Sequence, residues 1–157
     1  MTATALKLIL NSPQATAHFA SSLGAVLSPG DCVLLRGVIG SGKTHFARHL
    51  IQSLMAIPED VPSPTFTLVQ VYDTEKGEVW HSDLYRLTAL DEIEELGLTE
   101  AFESAICLVE WPDRLGPLAP ENALMLDFAT DPDQEETRHL TATWTDPKWS
   151  KPLETLA

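Results

Sequence analysis

The eight residues Gly37-Val38-Ile39-Gly40-Ser41-Gly42-Lys43-Thr44 spell the pattern Gly-x-x-x-x-Gly-Lys-[Ser/Thr], and no other stretch constrains the fold as strongly. An apolar, strand-like run, Cys32-Val33-Leu34-Leu35, precedes it. His45 to Met55, which holds no Gly or Pro, follows and reads as a helix. A loop so placed joins a strand to a helix N-terminus, where unpaired backbone N–H groups and the positive end of the helix dipole favour phosphate. Its glycines let the backbone wrap closely around an anion. Lys43 is then placed for the β- and γ-phosphates, and the Thr44 hydroxyl for Mg²⁺. The candidate nucleotide-binding residues are Gly37, Ile39, Gly40, Ser41, Gly42, Lys43 and Thr44, with Lys43 also a candidate for catalysis. The competing reading is a glycine-rich turn without a ligand. The strand-before, helix-after context counts against it.

A chain of 157 residues fits one domain, with an apolar content of 44% ordinary for a globular protein. No segment approaches the roughly 20 apolar residues of a membrane span. The N-terminus has no basic region followed by an apolar core, so no secretory leader is expected. Cys32 and Cys107 lie inside apolar runs without neighbouring His, which predicts reduced, buried thiols rather than a zinc site. These features point to the cytoplasm. The net charge of −13 is lopsided: residues 1–78 carry six acids against five bases, and residues 79–157 carry seventeen against five. Tight binding of nucleic acid draws on basic patches that neutralise phosphate, so direct binding of RNA or DNA is disfavoured. The acidic half is either a solvated face or a surface for a basic protein partner.

Ala5 to Leu10 reads as a strand, and Ser12-Pro13 as a helix start, with Ala15, Phe19, Leu23, Val26 and Leu27 at helical spacing. Ile57 to Pro64 is irregular. Thr67 to Tyr72 and Glu78 to Ser82 pair around a turn near Glu75-Lys76-Gly77. Ala89 to Leu96 is a short acidic helix ended by Gly97, and Leu98 to Glu103 a further helical turn or two. Ala105 to Val109, Ala123 to Phe128 and His139 to Trp144 complete the strands. The last dozen residues, with two prolines, are expected to fray. The predicted class is α/β: a three-layer sandwich like that of P-loop NTPases, with a largely parallel central sheet and one antiparallel hairpin section. In such sheets ligands sit at the carboxyl ends of strands.

A phosphate loop needs a metal-binding acid from a second strand. Ala105-Ile106-Cys107-Leu108-Val109-Glu110 has that form, so Glu110 is the candidate Mg²⁺ acid, directly or through water; otherwise it is a surface carboxylate at a strand end. Trp111 either packs beside the site or belongs to the core. Pro62-Ser63-Pro64-Thr65 holds the Thr65 hydroxyl on a restricted backbone, either near a γ-phosphate as a switch segment or as a rigid turn. Strand alternation puts His81 and Asp83 on one face. Asp83 then orients attacking water with His81 supporting it, or the two form a structural hydrogen bond. Arg86 contacts a phosphate or pairs with the acidic helix. Thr16 and Arg138 are the candidates for holding adenine.

The phosphate loop, Ser63-Pro64-Thr65-Phe66-Thr67-Leu68-Val69, His81-Ser82-Asp83-Leu84-Tyr85-Arg86, Glu94-Glu95-Leu96-Gly97-Leu98 and Cys107-Leu108-Val109-Glu110-Trp111-Pro112 follow one another in a familiar order. Together, over about residues 5–130, they resemble the TsaE (YjeE) family of bacterial tRNA threonylcarbamoyladenosine synthesis. The resemblance implies one P-loop ATPase domain over residues 1–157. Such a protein hydrolyses ATP with Mg²⁺ in complex with TsaD and TsaB, resetting that complex between rounds of modification of adenosine 37 in tRNAs reading ANN codons. It implies phosphate and Mg²⁺ binding by Lys43 and Thr44, a second metal acid in Glu110, hydrolysis dependent on Asp83, and a switch segment holding Thr65. It places tRNA at one remove, through the partners, with the isolated chain a monomer. Ser82 departs from the aromatic residue common at that position. Two rival readings follow from the residues alone: a small-molecule kinase, or a nucleotide-sensing adaptor. Against the kinase, the five Arg form no lid-like cluster.

Overall fold

Apolar residues at every position of a strand demand cover on both faces of its sheet. In a computed structural model, which describes residues 2–156, β2 (Cys32–Arg36) turns Val33 and Leu35 to one side and Cys32 and Leu34 to the other. β5 (Ile106–Glu110) divides in the same way, with Ile106 and Leu108 opposite Cys107 and Val109. The result is a mixed α/β structure with one hydrophobic core on each side of a single sheet. Both cysteines are buried and unpaired, as predicted.

Seven strands form that sheet in the order β1-β7-β6-β2-β5-β4-β3. The remaining strands are β1 (Thr4–Leu10), β3 (Val69–Thr74), β4 (Gly77–Asp83), β6 (Leu124–Thr130) and β7 (Arg138–Trp144). The central strands β6, β2, β5 and β4 are parallel. The expected hairpin is present as β3 antiparallel to β4. A second antiparallel section, absent from the sequence reading, adds β7 to β6 and β1 to β7. The connection 131–137 explains the β6–β7 pairing, being too short for the crossover that a parallel pair requires.

The helices are α1 (Pro13–Val26), α2 (Lys43–Ser53), α3 (Leu90–Glu95), α4 (Leu98–Ser104) and α5 (Ser150–Leu156). Phe19 and Leu23 of α1, Phe46 and Leu50 of α2 and Leu153 of α5 fill one core. Ile93 of α3 and Leu98 of α4 fill the other. Ser12 caps α1, its Oγ accepting from the Ala15 N–H at 3.0 Å, with Pro13 in the first turn. β3 starts later than its apolar pattern suggests, because Leu68 has φ +69° and donates its N–H to Pro64 O at 2.7 Å. No helix among the described residues is long and apolar enough to cross a membrane.

The C-terminal segment departs most from expectation. It forms a 3-10 turn, Pro147–Trp149, followed by α5. Its prolines do not fray it, because both stand in first turns, where no amide is required. Asp146 caps the turn through the Lys148 N–H at 2.9 Å, and the buried Trp149 donates its indole N–H to Asn122 O at 2.8 Å. Leu153 is fully buried. Leu153→Ala is expected to destabilise the fold by about 2–4 kcal/mol, the usual cost of a buried Leu cavity. Urea denaturation measures it, and a loss below about 0.5 kcal/mol would mean that the segment does not pack in solution.

Candidate functional site

The parallel pairing of β2 with β5 sets Leu35 opposite Glu110, so the two strands end side by side. The chain leaves β2 into the Gly37 to Thr44 loop and enters α2 at Lys43. Gly42 is the N-cap, with φ +106° and no side chain to occupy the first amides of α2. Those N–H groups remain available to an anion. Gly37, with φ +153°, is required by proximity: a Cβ there would stand 2.5 Å from Ser41 Oγ and 2.6 Å from the backbone oxygen of Phe128. The loop is latched from outside by Arg138, whose Nε donates to Ser41 O at 2.9 Å and whose Nη2 donates to Gly40 O at 3.4 Å.

The loop opens on a cavity of about 610 Å³ at the carboxyl ends of the parallel strands. Ile39, Gly40, Gly42, Lys43 and Thr44 line it from the loop, Thr65 and Asp83 from the β3–β4 side, and Glu110 and Trp111 from the end of β5. Pro13 and Thr16 of α1, His45, Ser63, Tyr85 and Arg138 complete the wall. Of the residues the sequence put at the site, all meet at this cavity except Gly37 and Ser41, which lie within the loop, and His81 and Arg86, which do not line it. Ser41 is fully buried.

Three polar clusters define its chemistry. Lys43 turns its ammonium back over the loop, donating to Gly37 O and Val38 O and lying 3.9 Å from the centroid of the Trp111 ring. Burial pushes its pKa down, and Glu110 and Asp83 oppose that shift. Glu110, only 2% exposed, accepts from Thr44 Oγ1 at 2.9 and 3.1 Å and bonds His81 Nε2 at 2.7 Å. Asp83 accepts from Thr65 Oγ1 at 3.2 Å on one oxygen and from the Tyr85 N–H at 3.0 Å on the other. The Ser63 and Thr65 hydroxyls are 2.8 Å apart, extending that chain along the loop.

Several readings from sequence are corrected here. Glu110 is not a surface carboxylate. His81, expected to support Asp83, bonds Glu110 instead, because register places Asp83 rather than His81 beside Glu110 and leaves His81 one pleat behind on the same face. Trp111 does both things foreseen for it, lining the cavity and packing against the second core: with φ +58° it swings its ring over Lys43, where the Tyr85 ring meets it tilted by 50° at 4.7 Å between centroids. Arg86 stands 5.3 Å over the Phe66 ring rather than against the acidic helix. The Trp111 and Tyr85 contacts were missed because the αL kink after β5 carries no compositional mark; Gly and Asn, its usual residues, are absent there.

The donor set fits a hard divalent cation. Among the described residues no group of three or more His, Cys, Asp or Glu gathers into a metal cage. A hydroxyl and a carboxylate do face each other at Thr44 and Glu110. Mg²⁺ takes oxygen ligands and is held by one or two protein groups with water and phosphate completing its shell.

Comparison with known proteins places the chain in one family. The family model described as "Threonylcarbamoyl adenosine biosynthesis protein TsaE" matches residues 10–140. The tRNA threonylcarbamoyladenosine biosynthesis protein TsaE of Rickettsia bellii is 38% identical over 133 residues, covering 85% of this chain and 92% of that protein. The protein of the same name from Bacillus subtilis is 35% identical over 132 residues, covering 83% and 82%. The crystal structure of Bacillus subtilis YdiB superposes with a TM-score of 0.76 at 28% identity, covering 99% of this chain and 96% of that one.

The two loop glycines at 37 and 40 separate close packing from backbone strain. Gly40 has φ +82° and open space where a Cβ would go, whereas Gly37 meets backbone. Gly40→Ala is expected to cost about 1 kcal/mol of stability, and Gly37→Ala about 2–4 kcal/mol because a collision is added to the strain. Denaturation midpoints compare the two; equal losses would show that the loop relaxes around position 37.

Proposed function

The chain belongs to the TsaE family of tRNA threonylcarbamoyladenosine biosynthesis, and we propose that it serves that pathway as a partner-dependent P-loop ATPase. The observation that carries this reading is the convergence, at one cavity, of a helix-capping phosphate loop with two separate carboxylate–hydroxyl pairs, Thr44–Glu110 and Thr65–Asp83. In this reading the sheet and its two helical layers are a P-loop NTPase-like sandwich, one domain over residues 1–157.

The free amides at the start of α2 and the Lys43 ammonium hold the triphosphate. Lys43 exchanges its bonds to Gly37 O and Val38 O for phosphate oxygens, so its charge moves from a carbonyl environment to an anionic one. Thr44 and Glu110 hold Mg²⁺, which when bound neutralises charge on the β- and γ-phosphates. Asp83 orients the attacking water, and Thr65, already hydrogen-bonded to it, brings the Ser63 to Thr65 segment over the γ-phosphate. Adenine lies toward Thr16 and Arg138, whose positions on the cavity wall support that placement.

The partners proposed are TsaD and TsaB, with hydrolysis resetting their complex between turnovers. The charge distribution supports indirect access to tRNA: the half of the chain from residue 79 onward has an excess of twelve acids. It repels a polyanion and suits a basic protein surface. The site of action is the cytoplasm, with the isolated chain monomeric.

Isolated protein is expected to hydrolyse Mg-ATP slowly and to accelerate when TsaD and TsaB are added. Phosphate-release assays check this; full activity without partners contradicts it. A stoichiometric phosphorylated small molecule in place of free phosphate identifies a kinase instead. Lys43→Ala is expected to weaken ATP binding by roughly 10–100-fold, the loss of a charged hydrogen-bonding group. Titration calorimetry measures it. Asp83→Asn is expected to keep nucleotide affinity and lose turnover by at least about 100-fold; a variant with normal turnover removes Asp83 from the reaction.

A further inference from the structure

We propose that His81 is a positioning residue that sets divalent-cation affinity by holding the Glu110 carboxylate from behind; this rests on the nucleotide–metal reading above. β4 and β5 run parallel with Asp83 beside Glu110 and His81 beside Leu108. Alternation therefore sends His81, Asp83 and Glu110 to the face covered by α2. Asp83 and Glu110 reach the cavity, and His81 does not line it. Its side chain is fully buried, and among the described residues its one side-chain hydrogen bond is Nε2 to Glu110 Oε2 at 2.7 Å. Nδ1 is buried without a hydrogen-bond partner among the described residues.

That arrangement is costly unless the Nε2 bond repays it. A buried imidazole nitrogen with no partner is a penalty, and an apolar side chain would fill the same space without it. The return lies in Glu110. In this structure the carboxylate has two donors, Thr44 Oγ1 and His81 Nε2. A cation between Thr44 and Glu110 needs the Thr44 lone pair, so the Thr44 hydroxyl must turn its proton away from Glu110. His81 is then the remaining donor that fixes the orientation of a buried carboxylate. Groups behind a metal ligand act in this manner, and their loss costs roughly 10–100-fold in metal affinity. Because His81 does not line the cavity and its ring makes no hydrogen bond to the loop among the described residues, its effect falls on the metal and spares the metal-free nucleotide.

The test uses the full chain and two probes, Mn²⁺ followed by electron paramagnetic resonance in the presence of ADP, and ADP followed by calorimetry in the presence of a chelator. His81→Leu is expected to weaken Mn²⁺ by roughly 10–100-fold and to leave metal-free ADP affinity within about twofold. His81→Gln, whose amide N–H stands near the place of Nε2, is expected to restore most of the Mn²⁺ affinity, and the shorter His81→Asn is not. Unchanged Mn²⁺ affinity in His81→Leu overturns the proposal while leaving the nucleotide–metal reading intact. Equal weakening of Mn²⁺ and metal-free ADP also overturns it, since that is the signature of general disruption. A wild-type chain that takes no Mn²⁺ with ADP overturns both readings. Should His81→Leu fail to fold, the Gln and Asn variants decide, and equal Mn²⁺ affinities in those two overturn the proposal.

Discussion

The parallel register between β2 and β5 is the constraint on which the rest of the site depends. Leu35 and Glu110 are partners across that ladder, and Trp111 N–H continues it to Leu35 O at 3.3 Å. Because the strands run the same way, both deliver their next residues to the same edge of the sheet. One supplies a loop with free amides, the other an acid and then an indole. An antiparallel pairing of the same two strands would leave those groups at opposite ends. The cores on either side hold the register in place, since a one-residue slip would exchange the residues of the two cores and turn Glu110 away from α2.

Buried charge at this edge is arranged to be moved. Lys43, Asp83 and Glu110 are each at most 5% exposed. Each has local partners that satisfy it: loop carbonyls and an aromatic face for Lys43, hydroxyls and an amide or imidazole for the acids. Most of these partners are on loops or at strand ends, where a rotation of one side chain exchanges them. A salt bridge of Lys43 directly to Glu110 would be harder to open, because a buried pair is costly to break. The structure instead separates opposite charges by neutral groups that can turn.

What could be read from sequence divides along the same line. The place of the Gly37 to Thr44 loop between strand and helix was legible because its residue types are demanded by backbone geometry, and the place of Glu110 at the end of β5 because an apolar run ending in an acid is a directional pattern. The pleat placed His81 and Asp83 on one face, since that follows from a period of two. Which acid His81 bonds was not legible, because the answer lies in inter-strand register. The β6–β7–β1 antiparallel edge was missed for the same reason: strands were visible, partners were not. The C-terminal helix was misread because two prolines in a short polar segment suggest a coil, and only tertiary burial of Trp149 and Leu153 selects the helix.

The strand order also sets a schedule for acquiring the structure. β1 lies at the sheet edge and its strand partner is β7, so residues 4–10 wait for residues 138–144. β2, which leads into the Gly37 to Thr44 loop, gains its flanking strands only when β5 and β6 exist. While the chain is being made, the loop and its helix are thus complete in sequence long before the sheet that orients them. The helix pair α1–α2 is the early contact available, and it buries Phe19 against Phe46 at 6.0 Å between ring centroids. High sequence separation among the strand pairings slows such folding and leaves edges open meanwhile. The cavity, assembled from segments between Pro13 and Arg138, closes only when nearly the whole chain is present.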